Sequence, residues 1–445
     1  MSIPPTIAVT PSEALIDEPV RVIASGLAPA QWVRIETKFE DEAGVVWTAS
    51  GLYCSDPHGV VDSDRCASYA GSYTGVEHDG LFYTALPAGA ETAQAHWARS
   101  AADAAMRLDR PQEDSLRPRQ YSVRAFIDEA PVATCAFTRH LTSPSVVSRE
   151  IEEGGLRGVL YQPSTPGPHP AIIAIPGSLG GVDKHIGGYL ASRGVAVLAI
   201  AYFNYPGVPS ALRDIDLEYF SDAIRWLRRE VGHDRIGVYG ISYGSVAAMQ
   251  TAVNFPDLVK ALIAVVPSHV SMTGFQDNGA PGAPSWRVNG MPLPYATPKS
   301  DTLAAAIQAQ REGSVEPYRS TPAFLESWND PANLPAHIPI ERAACPILAL
   351  SAEGDGMWPS ALAGEHLIMR LKQHNHPHPY THICYPGAGH GLLTPGVPTA
   401  VMSRLYHSSM NFFIDRGGLP RETASAMTHM WTVILPFLRT HLAPP

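Results

Sequence analysis

The chain has 445 residues, of which 45% are hydrophobic and 17% charged, so it has an ordinary globular composition and enough length for two domains. A formal net charge of -10 at pH 7 and a pI near 6.0 argue against nucleic acid or an anionic membrane surface as partner. The sequence shows neither a long apolar run nor a signal peptide after Met1, so we expect a cytoplasmic protein.

Residues 1–140 are predicted to form an all-β domain. Apolar and polar residues alternate with period two in several short stretches, which indicates strands with one buried face. Strands at such close spacing predict an immunoglobulin-like β-sandwich, in which we expect no chemistry. The predicted strands are Thr6–Val9, Val20–Ala24, Trp32–Thr37, Val45–Thr48, Tyr121–Phe126 and Val132–Phe137.

A linker at residues 141–148 is predicted to lead into a second domain at 149–445, where buried apolar runs alternate with helical patterns. Continuous apolar strands separated by helices are typical of an α/β fold, with a mostly parallel sheet covered on both faces. The predicted strands are Leu156–Tyr161, Ala171–Ile175, Val195–Ile200, Ile236–Tyr239, Ala261–Val266, Ile347–Leu350 and Thr381–Tyr385. The spacing of Leu217, Phe220, Ile224, Leu227 and Val231 predicts one of the covering helices.

Residues 268–344 interrupt this alternation with a long segment rich in proline, glycine and tryptophan. An excursion of this length at the carboxyl side of a parallel sheet is usually functional, so we predict a lid-like insertion that sets specificity. Its candidates for lining a substrate pocket are Trp286, Met291, Tyr295 and Trp328, although packing is the more frequent role of such side chains.

The central motif is Gly240–Ile241–Ser242–Tyr243–Gly244, which stands between the predicted strand at 235–239 and a predicted helix at 245–254. G-x-S-x-G between a strand and a helix is the pattern of a nucleophile elbow, in which the serine side chain stands above the sheet. The small residues at both ends let the strand and helix approach closely. Ser242 is therefore the predicted nucleophile.

A serine nucleophile needs a histidine base and a carboxylate that orients it, and in α/β-hydrolases these follow in the order Ser, Asp or Glu, His. Asp355 follows the predicted strand at 347–350, with Glu353 as the alternative orienter. His390 lies in a glycine-flanked loop after the last predicted strand, which distinguishes it among the eighteen histidines. Ser242, Asp355 and His390 form the predicted triad.

The loop Pro176–Gly181 follows the strand at 171–175 and does not match a dinucleotide-binding fingerprint, so no cofactor is predicted. Its position is that of an oxyanion loop, with backbone donors expected from Ser178 or Leu179 and from Tyr243. A histidine cluster at His374, His376, His378 and His382 is interrupted by prolines and lacks acidic or thiol partners, so no metal site is predicted. The five scattered cysteines predict free thiols, with a Cys54–Cys66 bridge as the local alternative.

The chain resembles the family of acyl-CoA thioesterases and bile acid-CoA:amino acid N-acyltransferases over nearly its whole length. In the first domain the similar segments are Val9–Pro11, Asp17–Val20, Ser25–Leu27 and Gly71–Val76. In the second they are Ala191–Phe203, Gly240–Ser242, Asp355 with Trp358, and Ile383–Pro386 with Gly389–His390. The resemblance implies a β-sandwich joined to an α/β-hydrolase domain whose triad acts on an acyl thioester.

This resemblance implies serine-dependent hydrolysis of an acyl-CoA through an acyl-enzyme, with an acyl carrier protein as an alternative carrier. The alternatives are acyl transfer to an amine or alcohol, cleavage of esters or peptides, and a binding protein with an inactive hydrolase domain. Two features depart from the family pattern: Tyr243 stands where a lysine is common, and the loop from Gly177 to Gly181 is less regular. Members that transfer to amino acids typically use cysteine, so Ser242 favours hydrolysis.

Overall fold

The fold is described from a computed structural model, and the structure describes residues 4–41, 44–102, 116–275, 281–298, 301–314, 316–407 and 412–444. The described residues divide into two compact units. The first runs up to Pro144 and includes Thr394–Met402, while the second contains Ser145–Leu393 and the chain from Ser403 onward.

The first unit is built mainly from strands. Its elements are β1 (Thr6–Thr10), β2 (Glu13–Leu15), β3 (Arg21–Ser25), β4 (Trp32–Glu40), β5 (Val46–Cys54), β6 (Val61–Asp62), β7 (Ala70–Gly71), α1 (Gly80–Tyr83), β8 (Leu86–Pro87), α2 (Ala93–Ala102), β9 (Arg119–Ile127) and β10 (Ala130–His140). One sheet has the order β1-β3-β6, and the other has the order β2-β10-β9-β4-β5-β7 with β8 paired to β5.

Alternate residues of these strands are buried, as the period-two pattern predicts. In β4, Val33 and Ile35 are fully buried while Arg34 between them is partly exposed. Val22 of the smaller sheet and Phe137 of the larger one belong to the same apolar core. Two sheets packed face to face over a shared core form the predicted sandwich.

The second unit alternates strands and helices. Its elements are β11 (Val147–Ile151), β12 (Arg157–Gln162), β13 (Ala171–Ile175), α3 (Lys184–Ala191), β14 (Ala196–Ala201), β15 (Ile215–Asp216), α4 (Glu218–Val231), β16 (Ile236–Ile241), α5 (Tyr243–Asn254), β17 (Ala261–Val265), β18 (Gly274–Phe275), β19 (Pro281–Ala283), β20 (Trp286–Val288), β21 (Met291–Pro292), α6 (Asp301–Arg311), α7 (Thr321–Asn329), β22 (Ile347–Ala352), α8 (Ser360–Gln373), β23 (Tyr380–Tyr385), β24 (Arg404–His407), β25 (Phe412–Asp415) and α9 (Pro420–Leu442).

An eight-stranded sheet forms the centre of this unit, in the order β11-β12-β14-β13-β16-β17-β22-β23. The β11–β12 and β12–β14 pairs are antiparallel, and all later pairs are parallel. Strands such as β13 and β17 are buried at every residue. This confirms the α/β class predicted from continuous apolar runs. The sheet begins at Val147 in β11, which falls inside the segment predicted as a linker.

The insertion predicted at 268–344 contains regular structure. Besides four short strands and two helices it has 3-10 turns at Pro331–Ala336 and Ile340–Arg342 among its described residues. Trp286 is fully buried, with its ring 5.8 Å from that of Tyr202 and 6.1 Å from that of Phe220, so it serves the core. Met291, by contrast, is 68% exposed.

Two further properties bear on the sequence predictions. Within the ranges that the structure covers, no helix is both long enough and apolar enough to traverse a bilayer. Each of the five cysteines is unpaired, including Cys54 and Cys66.

Candidate active site

Ser242 occupies a strained turn between β16 and α5. Its φ of 56° and ψ of -125° lie in a region that side-chain-bearing residues rarely adopt. Hydrogen bonds hold the turn: the Ser242 N–H donates to the Val265 carbonyl at 3.0 Å, and the Ser245 hydroxyl donates to the Ser242 carbonyl at 2.6 Å. Strain retained in this way at a strand-to-helix turn is a mark of a nucleophile elbow.

The two glycines of the motif are required by close backbone contacts. A Cβ at Gly240 would collide with the Gly244 carbonyl oxygen. A Cβ at Gly244 would collide with the carbonyl oxygens of Ile175 and Pro176, at the end of β13. The helix that follows the serine therefore packs directly on the neighbouring strand end, which only glycine permits.

The structure brings Ser242, His390 and Asp355 together in one hydrogen-bonded chain. The Ser242 Oγ lies 2.9 Å from Nε2 of His390, although the two residues are 148 positions apart. Nδ1 of the same imidazole lies 2.8 and 3.0 Å from the two Asp355 carboxylate oxygens. All three side chains are buried, with 7% of Ser242, 5% of His390 and 1% of Asp355 exposed.

The Asp355 carboxylate is fixed by its own turn. Oδ1 accepts hydrogen bonds from the N–H groups of Met357 at 2.9 Å and Trp358 at 3.2 Å. The rival residue Glu353 accepts from the Gly387 N–H at 3.1 Å and has no hydrogen bond to His390 among the described residues. The geometry therefore favours Asp355 over Glu353 as the orienting group.

Trp358 contacts Asp355 through its backbone N–H and His390 through its ring. Its indole N–H donates to the Val266 carbonyl at 3.0 Å, and its ring meets the imidazole of His390 edge-on, with centroids 5.5 Å apart. The centroid of the Tyr243 ring lies 5.4 Å from that of the Trp358 ring. The sequence indicated Trp358 only through the family resemblance, because its contacts come from distant parts of the chain.

The backbone carbonyl of Arg416 connects the turn Asp355–Met357, here called the acid turn, with the loop that carries His390. The Arg416 carbonyl accepts from the His390 N–H at 2.8 Å and from the Gly356 N–H at 3.2 Å. Burial lowers the pKa of the Arg416 guanidinium to about 10, an effect that the nearby Asp355 carboxylate opposes. No sequence pattern pointed to Arg416, which lies beyond the recognised motifs.

The loop predicted to supply the oxyanion donors lies beside the nucleophile. A Cβ on Gly177 would be 3.3 Å from Cβ and 3.8 Å from Oγ of Ser242, so the loop backbone passes next to the serine. Ser178 follows directly and is 8% exposed, while the Asn204 side chain holds the Leu179 carbonyl at 2.8 Å. The assignment of donors to Ser178 or Leu179 and Tyr243 stays a prediction.

The Tyr243 side chain faces the insertion. Its hydroxyl donates to the Thr273 carbonyl at 3.0 Å, and its ring lies 5.6 Å from that of Phe275. Burial raises the pKa of this phenol well above its ordinary value, so it stays neutral. The residue after the nucleophile thus anchors the first part of the insertion.

The histidines outside the triad take other roles. His382 Nε2 lies 2.7 Å from the Ser351 hydroxyl, and His376 Nε2 lies 3.2 Å from the Cys345 carbonyl. Across the described part of the chain, no three His, Cys, Asp or Glu side chains are arranged to hold a metal ion.

A further group of histidines escaped the sequence analysis. The ring centroid of His269 lies 4.3 Å from that of His366 and 5.1 Å from that of His337. Burial lowers the pKa of His269 to about 2, with smaller contributions from the other two rings, so its imidazole is neutral at physiological pH. These residues are 29 to 97 positions apart by their numbers, so no local signal joined them.

Comparison with known proteins places similarity over nearly the whole chain. The family profile described as "BAAT / Acyl-CoA thioester hydrolase C terminal" matches residues 215–444, and "Acyl-CoA thioester hydrolase/BAAT N-terminal region" matches residues 17–153. The bile acid-CoA:amino acid N-acyltransferase of Homo sapiens is 31% identical, over 98% of this chain and 97% of that protein. Acyl-coenzyme A thioesterase 1 of Homo sapiens is 28% identical, over 96% and 94%.

Solved structures show similarity at lower identity. The dienelactone hydrolase of Anabaena variabilis is 14% identical with a TM-score of 0.34, over 67% of this chain and 99% of that one. A thioesterase domain from the curacin biosynthetic pathway is 16% identical with a TM-score of 0.34, over 58% and 97%.

Proposed function

The chain belongs to the family of acyl-CoA thioester hydrolases and bile acid-CoA:amino acid N-acyltransferases, and from that premise we propose that it hydrolyses an acyl thioester through an acyl-enzyme on Ser242. The observation that carries the proposal is the hydrogen-bonded chain from Ser242 through His390 to Asp355. The substrate class comes from the family, because the same chain of groups also cleaves esters and amides.

In the acylation step, Ser242 Oγ attacks the carbonyl carbon of the thioester. Nε2 of His390 accepts the hydroxyl proton, and Asp355 stabilises the imidazolium through Nδ1. The negative charge on the carbonyl oxygen requires nearby N–H donors, which we assign to the backbone of Tyr243 and of Ser178 or Leu179. The bond to sulfur then breaks, the thiol leaves with the proton from His390, and the acyl group remains on Ser242.

In the second step, water attacks the acyl carbon while Nε2 of His390 accepts its proton. The bond from the acyl carbon to Ser242 Oγ then breaks, Oγ regains the proton from His390, and the free acid leaves. The burial of the triad, with 7% or less of each residue exposed, supports a reaction shielded from bulk solvent. We further propose that the insertion at 268–344 moves to admit substrate to this buried triad.

Coenzyme A is the proposed acyl carrier, on the basis of the family to which the chain belongs. An acyl carrier protein is the alternative partner, and either carrier presents its acyl group on a thioester. We further propose that the reaction takes place in the cytoplasm, where unpaired cysteines such as the five found here are the rule. Detection of the protein in an oxidising compartment would contradict this location.

Thiol release from a panel of acyl-CoA thioesters tests the proposal. We expect Ser242→Ala to lower turnover by a factor on the order of 10⁶, because removal of the nucleophile leaves only binding and oxyanion contacts. Ser425→Ala, at an exposed position on α9, is the matched control and should keep full activity. Release that is equal in both variants, or absent with every acyl-CoA, would reject the proposal.

Acyl transfer is the second candidate, favoured by 31% identity to the human N-acyltransferase. In that case an amine replaces water, and its nitrogen attacks the acyl-enzyme to give an amide. Thiol release measured with and without glycine, taurine and simple amines, together with mass spectrometry of the product, distinguishes the two. Amide formed at the expense of free acid would identify a transferase.

Two further alternatives are tested alongside. Matched oxygen esters and amides show whether cleavage depends on the thioester, and an ester rate above the thioester rate would identify an esterase. A fluorophosphonate probe reacts with an activated serine regardless of substrate. Absence of labelling at Ser242 would favour a binding protein with an inactive hydrolase domain.

A further inference from the structure

The insertion contacts the triad through three consecutive residues, Arg319, Ser320 and Thr321, which we call the clamp segment. They lie at the start of α7, well outside the motifs that identified the catalytic groups. The clamp segment contacts the turn Asp355–Met357, which carries the acid. These contacts are hydrogen bonds to three successive backbone carbonyls.

Each carbonyl of the acid turn receives a donor from the clamp segment. The Asp355 carbonyl accepts from the Thr321 hydroxyl at 2.9 Å and from the Arg319 guanidinium at 3.4 Å. The Gly356 carbonyl accepts from the N–H groups of Ser320 at 3.1 Å and Thr321 at 3.2 Å. The Met357 carbonyl accepts from the Ser320 hydroxyl at 2.6 Å.

Tyr318 and Arg319 also bind β25, the strand that ends directly before Arg416. The Tyr318 N–H donates to the Phe413 carbonyl at 2.9 Å, and the Asp415 N–H donates to the Tyr318 carbonyl at 3.0 Å. The guanidinium of Arg319 pairs with the Asp415 carboxylate at 2.9 Å. The acid turn and the strand preceding Arg416 are therefore both tied to the insertion.

We propose that Thr321 and Ser320 are positioning residues, which hold the Asp355 turn so that its carboxylate stays aligned with Nδ1 of His390. This role rests on the proposed function, since it assumes that Asp355 orients the base. The insertion then supports the triad in addition to its proposed role in admitting substrate. Movement of α7 when substrate enters would then alter the alignment of the acid.

Two sets of hydrogen-bond donors hold the acid turn, one from the clamp segment and one from within the turn. Donors from one side fix the main chain at residues 355, 356 and 357, while the N–H groups of Met357 and Trp358 fix the carboxylate from within the turn. Removal of an outer donor lets the turn rotate and weakens the bond to Nδ1. His390 then loses part of the negative charge that stabilises its protonated form.

The test uses Thr321→Val, which keeps the branched shape and removes the hydroxyl donor, and Ser320→Ala. Thr321→Ser restores the hydroxyl, and Thr165→Val, which removes an exposed hydroxyl in the loop between β12 and β13, is the control. The readout is the rate at which a fluorophosphonate probe labels Ser242 at about pH 7.5, divided by the fraction of folded protein from near-ultraviolet circular dichroism. This measurement requires no knowledge of the natural substrate.

We expect Thr321→Val and Ser320→Ala to label about 10-fold more slowly per folded molecule, because a misaligned Asp355 stabilises the imidazolium of His390 less during the reaction. Thr321→Ser and Thr165→Val should match the native protein.

Native protein that fails to label would refute the proposed function, whereas the inference is judged on the ratio of variant to native rates. Unchanged labelling in Thr321→Val and Ser320→Ala would overturn it. So would a slower rate that Thr321→Ser does not restore, because the hydroxyl donor would then not be the group that holds the turn. If Thr321→Val does not fold, the rate of Ser320→Ala per folded molecule decides.

Discussion

Asp355→Asn tests the assignment of the orienting group most directly. The asparagine is nearly isosteric, and its carboxamide oxygen can still accept from the N–H groups of Met357 and Trp358, now at 2.9 and 3.2 Å. Its amide nitrogen then faces Nδ1 of His390, where the carboxylate oxygens now lie at 2.8 and 3.0 Å. A donor in that place forces Nδ1 to accept, so the ring proton moves to Nε2.

An Nε2–H directed at Ser242 Oγ, 2.9 Å away, cannot remove the serine proton. The corresponding change in a serine protease lowers turnover about 10⁴-fold, which at about 1.4 kcal/mol per decade is about 5.5 kcal/mol of barrier. We expect a loss of this size here in kcat/KM for thioester cleavage. The melting temperature should change little, because the two backbone hydrogen bonds are retained.

Glu353→Gln provides the matched control. This side chain accepts from the Gly387 N–H and belongs to the same turn region, yet lies outside the hydrogen-bonded chain to Ser242. We expect its kcat/KM to stay within about threefold of the native value. The reasoning is wrong if Asp355→Asn keeps activity within tenfold of native, or if Glu353→Gln loses more activity than Asp355→Asn.

Gly244→Ala should destabilise the protein by about 1–3 kcal/mol and abolish labelling of Ser242, since its methyl group meets two backbone carbonyls. Thermal unfolding beside Ser425→Ala, at an exposed position of α9, checks this, and equal stability of the two variants would contradict it. Tyr243→Phe should lower the free energy of unfolding by about 1 kcal/mol and change kcat less than threefold, because the Tyr243 hydroxyl bonds to the Thr273 carbonyl and not to the triad. A larger loss of kcat would assign the phenol a role in the reaction. His269 has a folded-state pKa of about 2, below its ordinary 6.5, so the unfolded chain binds the extra proton between those values and stability falls with falling pH. From pH 7.5 to 5.5 this residue alone should lower the free energy of unfolding by about 1.4 kcal/mol. Urea unfolding of His269→Phe should no longer show this loss. The same pH dependence in the variant and the native protein would refute the expectation.

The sequence determined the central strands of the second unit and the chain order of the candidate triad residues. Ala171–Ile175 is predicted and found with identical bounds, because a fully apolar run between polar turns has few stable arrangements other than a buried strand. The glycines around Ser242 identified the elbow for a similar reason, since the close approach of backbone at Gly240 and Gly244 leaves no space for a side chain.

The long insertion was harder to predict. Its short strands, such as β20, pair with distant partners, and the N-cap Ser320 of α7 donates its hydroxyl to the Met357 carbonyl and makes no side-chain cap of its own helix. Trp286 illustrates the problem: one residue in a loop-like sequence fits equally well in a pocket or a core. Its packing against Tyr202 and Phe220 was decided by residues far along the chain.

Local patterns predict an element when its own residues carry the stabilising energy, as buried apolar runs and glycine turns do. The choice of Asp355 over Glu353 depended on which carboxylate reaches Nδ1 of His390, 35 positions away. The shared Arg416 carbonyl and the clamp on the acid turn depend likewise on hydrogen bonds between separate segments. Sequence alone therefore named the candidate catalytic groups, whereas their alignment was decided only by tertiary structure, because backbone carbonyls and N–H groups are the same at every residue and leave no trace in the sequence.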